Sequence, residues 1–118
     1  MSGRMVKNII EIRQGDSYAI NVQVKDKKGC PVNLTGAVLF QQVKSGDGNI
    51  VLQVTGTEVD VLKGKMVLLF TPDMTAIPVG DYETDIQVTT ADGNVNTIFP
   101  ENVNQVGIFR ITKQVTEG

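Results

Sequence analysis

Apolar side chains recur at every second position in short runs along this chain, and Gly-containing polar clusters about ten residues apart separate the runs. A period of two is that of a half-buried strand. The first strand is predicted from Val6 to Arg13, and Gln14-Gly15-Asp16 turns the chain into Tyr18 to Lys25, where Tyr18, Ile20, Val22 and Val24 form a core face. Asp26 to Gly29 is a turn, and Cys30 to Gly36 crosses a sheet edge, because Pro31 cannot donate to a central ladder. A strand from Ala37 to Lys44 is joined through Ser45 to Asn49 with another from Ile50 to Thr55, and a weaker strand follows from Thr57 to Leu62. After Lys63-Gly64-Lys65, the unbroken apolar run Met66 to Phe70 predicts burial on both faces. Thr71, Pro72 and Asp73 suit a helix start, which Ile77-Pro78 ends after about one turn. The cleanest alternation lies in Asp81 to Thr90, with Tyr82, Thr84, Ile86 and Val88 on one side. Ala91 to Asn94 closes a hairpin into Val95 to Phe99, Pro100 to Gln105 is a loop, and Gly107 to Val115 is the last strand.

Composition strengthens the all-β reading. Val, Ile and Thr number 17, 10 and 11, against 10 Leu plus Ala, a balance that favours strands. At 118 residues the chain suffices for one domain, 1-118, with a core that needs neither disulfide nor metal. The absence of His and Trp removes the commonest general base, the commonest zinc ligand and the best sugar-stacking side chain. A net charge of -2 does not fit a nucleic-acid partner held through phosphates. The single Cys30 is read as a small, half-buried residue beside Pro31, since no second thiol exists to resolve it. No apolar run long enough for a signal peptide or membrane span opens the chain, so the expectation is a soluble protein made in the cytoplasm.

The remaining chemical patterns are sparse. Asp47-Gly48-Asn49 and Asp92-Gly93-Asn94 could offer oxygens to calcium, but they lack the alternating acids and distal Glu of a dedicated loop and read as turns. Asp81, Glu83 and Asp85 share a strand face and could serve as an acid pair on a sugar, but with no sugar-stacking aromatic nearby in sequence they read as a solvated face. No phosphate-binding Gly loop, nucleophile elbow or metal-spaced Cys cluster is present, and no cofactor is expected.

Pro78, Gly80 and Tyr82, within Ile77 to Tyr82, resemble the corner of immunoglobulin-like sandwiches where a tyrosine hydroxyl ties the chain to upstream backbone. The rival reading makes Tyr82 an alternating core aromatic. A broader resemblance rests on five stretches in order: Ile12 to Asp16, Val24 to Ala37, Phe70 to Asp73, Val79 to Val88 and Gly107 to Thr112. Together they resemble a small β-sandwich module of phage and prophage structural proteins, including the amino-terminal domain of siphophage upper baseplate proteins. The fold so implied is an Ig-like antiparallel β-sandwich of eight or nine strands with one short helical turn. What the resemblance implies for function is a non-catalytic virion part that docks onto other virion subunits, often as a homo-oligomer. A head-decoration protein, a carbohydrate-binding or adhesive module on a similar sandwich, and an enzyme are the alternatives.

The amino-terminal strand suggests where partners bind. Consecutive Ile9 and Ile10 must point to opposite faces, so one is exposed unless something covers it. The predicted contact combines Ile9 and Ile10 with the loop that carries Pro100, Asn102 and Asn104, and the last strand is placed inside the sheet beside the first.

Overall fold

A computed structural model of the chain describes residues 4–100 and 104–113. Asn102 and the end of the last predicted strand, Gln114 and Val115, lie outside the described residues. The larger of two sheets contains β1 (Arg4–Val6), β2 (Ile9–Arg13), β4 (Val38–Lys44), β5 (Ile50–Thr55), β8 (Gly80–Thr89), β9 (Val95–Phe99) and β10 (Gly107–Thr112). The smaller contains β3 (Tyr18–Gln23), β6 (Thr57–Asp60) and β7 (Lys65–Phe70). Nine of these strands have four residues or more, and β1 is a three-residue arm. Helical geometry among the described residues is confined to a 3-10 turn at Val61–Lys63 and the single α-helical turn α1 at Pro72–Thr75. Thr71 caps α1 by accepting a hydrogen bond from the Met74 amide, and Pro72 occupies the start.

Strand order in the large sheet is β1-β2-β10-β8-β4-β5, with β9 also on β8, and in the small sheet β3-β7-β6. Every ladder is antiparallel except one: β10 runs parallel to β2, with Phe109 opposite Ile10 and Ile111 opposite Ile12. The last strand therefore does lie inside the sheet beside the first. Between the layers sit Ile10, Ile12, Leu39, Val43, Leu68, Ile86, Phe109 and Ile111, each almost inaccessible to solvent. The Phe70 and Phe109 rings meet across the layers at 5.5 Å between centroids, at a tilt that suits aromatic packing. Leu34 is buried in the same core, its amide donating to the Val61 carbonyl.

Three expectations are corrected. The span Val6 to Arg13 is a hairpin rather than one strand, because Lys7 takes a left-handed φ of 54° and folds Arg4–Val6 back onto Ile9–Glu11. The apolar run in β7 is buried on one side only: Met66, Leu68 and Phe70 face the core, while Leu69 is 53% exposed on the open outer face of the small sheet. Cys30 is exposed rather than half-buried, at the end of a turn whose amides at Lys28 and Cys30 bond to the Asp26 carboxylate.

Candidate functional site

The strands β9 and β10 lie end to end along the same side of β8. Phe99 pairs with Ile86 and Gly107 with Thr84, so only Asp85 separates the two points where the chain leaves the sheet and rejoins it. The two strands thus share one strand line with a break between them, flanked by Pro100 on one side and Asn104 to Val106 on the other. The rejoining point is tight: a Cβ on Gly107 would lie 2.3 Å from the Thr84 carbonyl oxygen, so no other residue fits there without moving β8. A hollow of about 460 Å³ lies beside this break on the outward face of the large sheet. Its walls include Pro100 and Gln105 from either side of the break, Gln42 and Lys44 from β4, and Glu83 and Asp85 from β8.

Alternation sets this face. With Thr84, Ile86 and Val88 turned inward, Asp81, Glu83 and Asp85 must turn outward. Asp81 is taken up by Arg110 of β10, whose Nε and Nη2 donate to the two carboxylate oxygens at 2.7 and 3.1 Å. These hydrogen bonds hold the Asp81 carboxyl below its ordinary range and raise Arg110. Arg110 also stands 4.0 Å from Glu11 of β2. Lys44 lies directly across the ladder from Glu83. The three acids therefore sit in an exposed or half-buried mixed-charge face.

The structure brings the amino-terminal hairpin to the same place. The Asn8 side chain donates to the Val106 carbonyl at 2.9 Å, and the Ile108 amide donates to the Asn8 carbonyl at 2.7 Å. Ile9, half-buried, pairs with half-buried Ile108 on the outward face, next to the start of β10. Ile10 does not belong to this surface: it is wholly buried against Phe109, since its side chain points to the opposite face. Pro100 is half-buried and Asn104 exposed, on either side of the break.

At the corner before β8 the Tyr82 hydroxyl donates to the Pro78 carbonyl at 2.6 Å, and Gly80, with φ 150°, opens the strand between them. One further polar group escaped the sequence reading. Gln41 points into the core fully buried; its Nε2 donates to the Thr84 hydroxyl at 3.0 Å, while Thr84 donates to the Gln42 carbonyl at 2.6 Å. The Gln41 Oε1 has no partner. Alternation marks position 41 as inward, but nothing in the local sequence signals Thr84 on the neighbouring strand.

The two Asp-Gly-Asn segments are hairpin turns. In each, the Asp accepts a hydrogen bond from the Ser45 or Thr90 hydroxyl and from the Asn two residues on, and those bonds hold Asp47 and Asp92 below the ordinary carboxylate range. Burial raises the Tyr18 hydroxyl. Among the described residues no cluster of His, Cys, Asp or Glu could hold a metal ion, and no helix is long and apolar enough to cross a membrane.

These features define a two-sheet β domain that carries a mixed-charge sheet face beside the break between β9 and β10. The chain belongs to the BppU N-terminal domain family, the amino-terminal domains of phage baseplate upper proteins, whose family model matches residues 2–103. Among solved structures, the crystal structure of CopC from Methylosinus trichosporium OB3b is similar in fold, with a TM-score of 0.51 and 11% identity over 92% of this chain and 87% of that one. At that identity the likeness concerns the fold alone. No curated protein matches this chain.

Proposed function

We propose that this domain is a non-catalytic baseplate component, made in the host cytoplasm and built into the virion, that docks onto neighbouring subunits through the outward face that holds Ile9, Ile108 and Val106. Membership of the family supports the virion role. The observation that carries the docking surface is the bond from Asn8 to Val106, which joins two sequence-distant segments around a pair of half-buried isoleucines. Such a centre with a polar rim matches the anatomy of protein interfaces. A sugar-binding reading gains nothing from the aromatics, because all six are buried or half-buried.

Two measurements test the reading. The protein should be found by mass spectrometry in purified particles, and its absence there would overturn the virion role. Copies of the chain should also associate through this surface, with Ile9→Lys dissociating them while the strand spectrum is preserved. Light scattering that finds the unmutated protein monomeric at micromolar concentration would remove self-association and leave docking onto a different virion protein.

A further inference from the structure

The layers of the sandwich are unequal, with three strands facing seven. β7 contacts β4 and β5, which places the free side of β3 over the part of the large sheet towards β9 and the amino-terminal hairpin. A hollow of about 470 Å³ lies there. One wall is β3 and its continuation, with Ile20, Val22 and Val24; the opposite wall includes Ile86, Ile98 and Phe99. Met5 and Lys7 from the amino-terminal hairpin and Lys25 beyond β3 also line it.

The β3 edge differs from the other four. β1 has only three residues, β6 is short, shifted in register and carries Glu58 and Asp60, the β5 ladder has a register shift near Val43, and the five-residue β9 is shifted in register against β8 between Ile86 and Gln87. Short, bulged and charged edges resist pairing with foreign strands. β3, Tyr-Ala-Ile-Asn-Val-Gln, has six residues in unbroken register with β7 and contains no charge and no proline. Its outer edge is unpaired among the described residues.

The geometry points to a receptor slot for one extended segment of a partner protein, which adds a fourth strand to the small sheet at β3. Main-chain hydrogen bonds to β3 would supply the affinity, and alternate side chains of the incoming strand would enter the hollow. The apolar walls call for aliphatic residues at those alternate positions. Lys7 and Lys25 are exposed and hold no ion pair among the described residues, so the flanks of the incoming segment carry carboxylates. This inference rests on the docking role above and gives it a second surface, distinct from the Ile9 face.

The probes are capped heptapeptides with Val, Ile or Leu at alternate positions, Thr between them and an acidic residue at each end. Titrated into the full chain and followed by amide and methyl NMR, the best binder should saturate shifts at Tyr18 to Gln23 and at the Ile20, Ile86 and Ile98 methyls. Lys7→Glu combined with Lys25→Glu, both at exposed positions, should weaken that binding at least tenfold, and peptides ending in Lys should recover it. Shifts at Ile50–Thr55 or Thr57–Asp60 instead, or no saturable shift at millimolar peptide, would overturn the slot. Presence of the protein in particles is a separate readout, so failure of the slot is distinguishable from failure of the virion role.

Discussion

Tyr82 and Gln41 show the two fates of a polar atom near a core. The Tyr82 hydroxyl finds the Pro78 carbonyl four residues upstream. Tyr82→Phe should therefore lower stability by about 1 kcal/mol in urea denaturation, the usual net worth of one such bond. Both partners lie in one short segment, which is why the corner was legible from Pro78, Gly80 and Tyr82 alone. Gln41 is the opposite case. Its buried Oε1 is unpaired, so Gln41→Leu removes a desolvated acceptor and leaves Thr84 bonded to the Gln42 carbonyl. The expected result is a variant as stable as the parent or more so by about 1 kcal/mol, measured by the same denaturation. This site was hidden in the sequence because satisfaction of a buried amide depends on residues more than forty positions away.

At the scale of the element, turns were read well and strand environments less well. Ser45 to Asn49 and Thr90 to Asn94 share one chemistry, a hydroxyl and an Asn amide converging on an Asp, and both close the hairpins that their sequences predict. Because Asp47, Asp81 and Asp92 are held below the ordinary value of 3.8, each favours the folded state when ionised, and that contribution is lost as the pH falls through their lowered values. The thermal midpoint should fall as the pH is taken from about 5 to about 2, and less steeply when Asp47→Asn and Asp92→Asn remove two of the groups. The β1-β2 hairpin escaped prediction because its left-handed residue is Lys7, and no glycine advertises the turn. In β7, five consecutive apolar residues are compatible with one open face; what decides is the number of layers, which the run itself does not encode.

Across the whole molecule, β8 is the axis of the large sheet. It has ten residues, with β4 on one side and β10 followed by β9 on the other. Amide hydrogen exchange should be slowest in β8 and the facing part of β4, and fastest in the three-residue β1, since local opening follows the number of partners that must be released. The all-β architecture was legible because alternation is a local signal. The alignment of β9 with β10 was not, because it arises only when both find the same neighbour.

That alignment separates folding from recognition. The segment that joins Phe99 to Gly107 is anchored at both ends on β8, with Asp85 alone between its anchor points. Doubling the length of such a segment costs only about 0.6 kcal/mol of closure entropy. The segment is a cassette: its sequence and length can diverge to suit a new partner while the ladder on either side, and the core beneath it, keep the same residues in the same register.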